Sequence, residues 1–364
     1  MPEEKTEKVP LKNNILDRDA AQLASLIASW GMPAFHARQI FTWIYQRGVM
    51  DFGAMSDLPA GLRQRLNKEF CAGAVRLEET RMSADGTEKF LLRLADGGMI
   101  ETVSIPASGR VTGCISSQVG CKFACRFCVS GTFGFRRNLS AGEMIEEALY
   151  LRHRSAAKSL THAVFMGSGE PLDNYDNVLR AVRMLNAKDG LNIGARRITI
   201  STNGLIPQIR RLAGEGLQIE LSVSLHAADD RTRSLLMPVN KRYPLKDLVP
   251  ACREYRQKTG RQVTFEYVLI RGINSSLADA RKLGKILRGF DCKVNLIPLN
   301  AQTDPGLVPP ERSETAAFRQ EVAKSGVPVT IRQQRGEDIE AACGQLRSSY
   351  ERRVHAGRHH HERH

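Results

Sequence analysis

No run of apolar residues in this 364-residue chain approaches the roughly 20 that a membrane-spanning helix needs, so no membrane segment is expected. The opening stretch "MPEEKTEKVPLKN" has no apolar core segment, which argues against a secretory leader and for a cytoplasmic setting. There is no internal repeat and no long low-complexity linker, so the chain reads as globular. Acidic residues are in deficit. Against 53 Lys and Arg stand 39 Asp and Glu, giving a formal net charge of +14 and a pI near 9.6. That imbalance calls for a polyanionic partner, RNA or DNA, with a merely solubilising surface as the plainer alternative. Basic pairs recur at Arg136-Arg137, Arg196-Arg197, Arg210-Arg211, Lys241-Arg242 and Arg352-Arg353, several beside glycine- or proline-bearing loops.

The length suits one large α/β domain plus a small accessory one. Residues 1–70 read as a helical N-terminal domain, because "ILDRDAAQLASLIASWG" and "AFHARQIFTWIYQRG" carry apolar positions at helical spacing and each ends at a glycine. Residues 71–110 read as a β-hairpin extension, two alternating runs joined by the turn Asp96-Gly97. From residue 111 short β-rich runs alternate with helical stretches: "VTGCISS", "THAVFMG", "RITIST", "IELSVSLHA", "VTFEYVLI", "KVNLIPL" and "VPVTIRQQ". The helix "AGEMIEEALYLRHR" opens with a capping box from Ser140 to Glu143. The alternation predicts a parallel sheet over residues 111–346, a partial (β/α)6 barrel rather than a complete one of eight units. Residues 347–364 are basic, hold five of the nine histidines, and are expected to be a disordered tail.

The segment "CKFACRFC" places Cys121, Cys125 and Cys128 in the pattern C-x3-C-x2-C, directly after the first barrel strand. In a reducing compartment, clustered thiols mean metal binding or catalysis rather than disulfides. Three thiolates from one loop suit three irons of a cubane cluster and leave a fourth iron without a protein ligand. The rival is zinc with Cys114 as fourth ligand, although structural zinc sites usually draw paired knuckles from two segments. Gly120 allows the tight turn before the loop, and Phe127 can shield one side of a bound group.

C-x3-C-x-aromatic-C after a first strand resembles the signature of radical S-adenosylmethionine enzymes. That resemblance implies a [4Fe-4S] cluster on Cys121, Cys125 and Cys128 whose open iron chelates S-adenosylmethionine. "MGSGEP", residues 166–171, looks like the superfamily motif that holds the methionine amine. Together with "CISSQVGCKFACRFC", "FGFRRNLSAGE", "STNGLIP", "SLHAADDRTRSLLMPVNKRYP", "NLIPLN" and "RGEDIEAACGQL", it resembles the RlmN-type adenine-C2 RNA methyltransferases. "FHARQIFTWIYQRGVMDFGAMSDLP" is similar to their helical N-terminal domain, an RNA-binding accessory. By that resemblance Gly169, Glu170, Ser201, Ser224, Leu225, His226 and Asn300 line the S-adenosylmethionine site.

Adenine C2 lies between two ring nitrogens and is too electron-poor to attack a methyl sulfonium, whereas a carbon radical can add to it. The resemblance implies that Cys343 first accepts a methyl group from one S-adenosylmethionine, and that a second molecule supplies the radical. It also implies that Glu101 takes the C2 proton. Cys114 then attacks the carrier sulfur and a transient disulfide bond forms. The implied substrates are 23S rRNA at the peptidyl-transferase centre and the adenine beside certain tRNA anticodons. The implied electron donor is of the flavodoxin or ferredoxin type, and the protein is expected to be a monomer. Two alternatives stay open: a non-enzymatic zinc RNA-binding module, and the related C8-methylating resistance group. That group typically has alanine where Pro171 stands and lacks proline at the position of Pro298.

Overall fold

The N-terminal periodicity becomes three helices in the computed structural model, which describes residues 12–73, 75–157, 159–300, 306–333, 335–339 and 345–361. They are α1 (Ala20–Ser29), α2 (Phe35–Phe41) and α3 (Ala60–Glu69), the last carrying no separate expectation in the sequence reading. Asp19 starts α1 by accepting from Gln22 N–H at 2.8 Å, while the Gln22 side chain accepts from Asp19 N–H at 3.1 Å. Leu23 and Ile27, four residues apart, form its buried stripe. This unit docks on helix α4 (Ala141–Arg154), which begins at the expected Ser140–Glu143 capping box. Asn14 Nδ2 donates to Glu146 Oε1 at 2.6 Å, Gly142 N–H to Asp17 at 2.7 Å, and His153 meets the Tyr45 carbonyl at 3.2 Å. Glu146, buried in the seam, also accepts from Val75 N–H at 2.9 Å.

One ten-stranded sheet runs through the rest of the chain, with its strands in sequence order. They are β1 (Arg76–Met82), β2 (Glu88–Arg93), β3 (Met99–Ala107), β4 (Arg110–Cys114), β5 (His162–Phe165), β6 (Ile198–Thr202), β7 (Glu220–Ser224), β8 (Val263–Leu269), β9 (Cys292–Pro298) and β10 (Val329–Ile331). β2 and β3 are the expected hairpin. β1 adds a third antiparallel strand, and β3 pairs with β4, so the extension is continuous with the main sheet. From β4 to β10 every neighbouring pair is parallel. All seven residues of β8 are buried, although Glu266 and Val268 on it face the cavities described below. The sheet is not closed, since β1 and β10 are its edges. The β1–β2 turn nevertheless reaches the segment beyond β10. Ser83 Oγ and Ala84 N–H donate to Asp338 at 2.5 and 3.1 Å, and Gly336 N–H donates to Asp85 at 3.2 Å. The sheet is thereby curled into a partial barrel.

The expectation of a disordered tail over residues 347–364 is corrected for residues 347–361, and residues 362–364 lie outside the described residues. Gln345–His361 is helix α5. Arg347, Tyr350 and Arg353, at three-residue spacing, meet β1–β3. Arg347 Nη1 donates to the Met99 carbonyl at 3.3 Å, Tyr350 to Glu78 at 3.0 Å, and Arg353 pairs with Glu79. Composition alone hides such partners, because they lie some 250 residues away in the chain. Among the described residues no helix is long and apolar enough to cross a membrane.

Candidate active site

After β4 the chain forms a short antiparallel pair, Gln118–Gly120 with Phe135–Asn138, and the loop between them carries the cysteine triplet. Gly120 sits at φ +79°, and a Cβ there would lie 1.7 Å from the Gly134 carbonyl oxygen, so no other residue fits this approach. Cys121 N–H donates to that same oxygen at 3.0 Å, Cys128 N–H to the Cys125 carbonyl at 3.0 Å, and Arg126 N–H to the Leu236 carbonyl at 2.9 Å. Cys121 and Cys125 are buried and Cys128 is half-buried. Burial pushes the Cys121 thiol up to about 12 and Cys125 well above its ordinary value. The other two cysteines push Cys125 further up, and Cys128 does the same to Cys121. Thiols so placed repel one another as thiolates, and a cationic iron group is what would stabilise them in that form. Among the described residues no three His, Cys, Asp or Glu side chains converge as one metal ion requires. Thiols spread around a cavity suit a multi-iron cluster better than zinc.

The three cysteines line a cavity of about 200 Å³ together with Gly169, Glu170, Ser201, Ser224 and His226. The "MGSGEP" turn follows β5 and is laced to the strand before the cluster loop. Gly167 N–H donates to the Ile115 carbonyl at 3.0 Å, and Glu170 N–H to Gln118 Oε1 at 2.9 Å. Gly169 has φ +105°, and a Cβ would come within 2.6 Å of Gln118 Cβ. The buried Glu170 carboxylate accepts from Leu172 and Asn203 N–H at 2.9 and 2.7 Å, and burial raises its pKa to about 7. A carboxylate poised this way gains from a cationic ligand such as an amine.

His226 adopts φ +55° at the end of β7, and its Nδ1 accepts from Val268 N–H at 2.9 Å. Burial, then Arg233, lowers its pKa to about 3, so the ring is neutral and its proton is on Nε2. The Phe127 ring stands edge-on to it at 4.6 Å. Leu225 is buried, and its part in the site is backbone. Its N–H donates to the Glu266 carbonyl at 3.0 Å and its own carbonyl accepts from Arg233. Arg233 is the residue sequence reasoning missed. It is wholly buried and donates to the carbonyls of Leu225, Tyr243, Asn203 and Ser224 and to Asn240 Oδ1, binding the loops after β6 and β7 together. In the sequence it looks like any helix arginine.

A second cavity of about 680 Å³ holds Cys114 and Asn300 in its wall. Phe127, Met166, Glu266, Val268, Ile297 and Arg332 line both cavities, so they are contiguous. Glu266, also missed, is buried at that junction. Burial raises its pKa, and Asn295 Nδ2 donates to it at 2.8 Å.

Glu101 lines neither cavity. It lies on β3, one residue before Thr102, whose hydroxyl donates to the Cys114 carbonyl at 2.8 Å. Its carboxylate pairs with Lys89 Nζ at 2.9 Å, with the two side chains 7% and 0% exposed, and accepts from Arg347 N–H at 2.6 Å. Lys89→Met is therefore expected to destabilise the fold by about 3–5 kcal/mol, because it strands a buried carboxylate. The denaturant midpoint reads this, and Lys89→Met with Glu101→Met should recover most of the loss. Cys343 lies outside the described residues. α5 begins two positions later, and its Arg347 N–H is the group on Glu101. No disulfide forms among the described cysteines.

Comparison with known proteins matches residues 115–283 to the Radical SAM superfamily and residues 13–72 to the ribosomal RNA large subunit methyltransferase N-terminal domain. A probable dual-specificity RNA methyltransferase RlmN of Heliobacterium modesticaldum is 46% identical over 337 residues, 90% of this chain and 88% of that protein. The Thermotoga neapolitana protein of the same description is 45% identical, covering 92% and 97%. The crystal structure of a radical SAM methyltransferase from Sphaerobacter thermophilus superposes with a TM-score of 0.88 at 46% identity, covering 92% of this chain and 98% of that one.

Proposed function

Because the chain belongs to the RlmN family of radical SAM RNA methyltransferases, we propose that it methylates C2 of an adenine in 23S ribosomal RNA at the peptidyl-transferase centre. C2 of the adenine beside the anticodon of some transfer RNAs is its second target. One observation supports this most: Cys121, Cys125, Cys128, Glu170, Ser201, Ser224 and His226 share one cavity, contiguous with a larger one that contains Cys114. A [4Fe-4S] cluster on the three cysteines, with S-adenosylmethionine bound beside it, would supply a methyl group from one molecule and a hydrogen-abstracting radical from a second.

The chain's own residues carry the rest. Glu170 offers its remaining lone pairs to the ligand amine, and Gly169 lets the backbone approach it. Arg233 holds the strand ends bearing Asn203, Ser224 and Leu225 in register. Cys343 carries the methyl group on sulfur. The family resemblance assigns the C2 proton to Glu101, although here it lines neither cavity and is held by Lys89 and the Arg347 N–H. Cys114 attacks the Cys343 sulfur. The sulfur–sulfur bond forms as the carbon–sulfur bond breaks, and the released base carbon takes a proton. A low-potential flavodoxin or ferredoxin supplies electrons to a cytoplasmic monomer.

Mass mapping of ribosomal and transfer RNA from cells with and without this gene is the test. The expected result is loss of a methyl group at C2 of one 23S adenine and of adenines beside anticodons. Unchanged RNA overturns the reading, and a methyl group lost at C8 assigns the chain to the resistance-type activity.

A further inference from the structure

The structure sorts the basic pairs of the sequence by what they face. Arg137 is bound to Asp96 and Glu143 at 2.8 Å each, Arg210 to Glu254 at 2.8 Å, Arg211 to Asp176 at 2.7 Å, and Arg353 to Glu79. Lys241 and Arg242 lie away from both cavities. Arg196 and Arg197 differ. Both are exposed, both line the 680 Å³ cavity, and among the described residues neither has a carboxylate partner. Arg110 shares all of these properties.

The three arginines are neighbours by register. Arg110 opens β4, His162 opens β5, and Arg196 and Arg197 immediately precede β6. Pairing of Thr112 with His162 and of Ala163 with Ile198 sets them side by side at the N-terminal rim of the parallel strands. Burial, and then the charges of Arg197 and Arg110, hold the His162 pKa below its ordinary value, as a shared rim requires. The cysteine loop and the "MGSGEP" turn follow the opposite, C-terminal ends of β4 and β5. Between rim and cluster the cavity wall carries Val103, Ile105 and Val164, apolar surface suited to a planar base.

We propose that this strand N-terminal mouth is the RNA entrance, where Arg110, Arg196 and Arg197 take backbone phosphates while the target base passes up the cavity toward Cys114. The proposal rests on the RNA methyltransferase reading and adds the docking face and the residues. An unpaired arginine at a cavity mouth keeps its donors for a phosphate, whereas one already held by a carboxylate does not.

The test uses the full-length holoenzyme with a target RNA hairpin and measures affinity against salt concentration, with steady-state methylation alongside. Each lost phosphate contact lowers the log–log salt slope by about 0.7–0.9. Arg196→Gln with Arg197→Gln should therefore reduce the slope by roughly 1.4–1.8, and Arg110→Gln by roughly 0.7–0.9. The KM for RNA should rise while kcat at saturating RNA and RNA-independent cleavage of S-adenosylmethionine stay unchanged. Arg210→Gln with Arg211→Gln is the control, expected to leave the slope alone. Unchanged slopes in the rim variants, or equal falls in the control, overturn the proposed entrance. Wild-type protein that neither binds nor methylates RNA overturns the functional reading instead.

Discussion

Replacing Cys121, Cys125 or Cys128 by alanine is expected to remove the bound iron, the brown colour and all methylation, in each single variant. The three cysteines come from one loop and line one cavity, so each is proposed to supply one of the three protein ligands. Losing one thiolate leaves two anchors for a group that needs three, and the open iron that would hold S-adenosylmethionine loses its fixed orientation. The loop itself should survive, because the Gly120–Gly134 approach and the Arg126 bond to Leu236 do not involve the sulfurs. Cys252→Ala and Cys292→Ala make the contrast. Both cysteines are buried in the core and line neither cavity, so they act as small apolar side chains, and their variants should keep colour and activity. Iron analysis, the visible spectrum of anaerobic protein and a methylation assay read the result. Full activity in any triplet variant, or equal iron loss in the controls, would sink the cluster assignment.

What was legible in the sequence is what depends on local pattern. The run "VTFEYVLI" became β8, buried along its whole length, and "AGEMIEEALYLRHR" became α4 from the very residue its capping box marks. The triplet and the glycine turn were legible for the same reason, since one loop and one turn carry them. What was not legible depends on partners far along the chain. Arg233 is a site residue only because the carbonyls of Asn203, Ser224 and Leu225 meet around it, and no spacing in "RTRSLL" announces that. Lys89 meets Glu101 diagonally across the β2–β3 pair, where Val103 stands opposite Lys89 and Leu91 opposite Glu101. The tail helix needed acceptors on β1 and β3 to hold it, while its composition alone suggested solvent.

Cys114 and Cys343 give the sharpest separation, because they act at different points of the proposed sequence. Cys343 has to be methylated before any RNA chemistry, so a Cys343→Ala protein should leave RNA unmodified and form no adduct. Cys114 acts only once a carbon bridge joins Cys343 to the base. Its place in the structure suits that late role. It ends β4 in the wall of the larger cavity, with its backbone carbonyl pinned by Thr102 and its neighbour Ser116 bonded to the Glu101 carbonyl at 2.8 Å. A Cys114→Ala protein keeps the triplet, Glu170 and Glu101 and loses only the sulfur that breaks the bridge. It should load its methyl group, attack the base and stall with RNA attached through a thioether. Such a bond lacks the sulfur–sulfur linkage that thiols exchange, so it should withstand both reductant and boiling in detergent. On a denaturing gel the variant should run as a retarded species that ribonuclease collapses to near the mass of the free chain. Cys114→Ala protein that carries no RNA and methylates normally would make Cys114 a bystander and the carrier mechanism wrong for this chain.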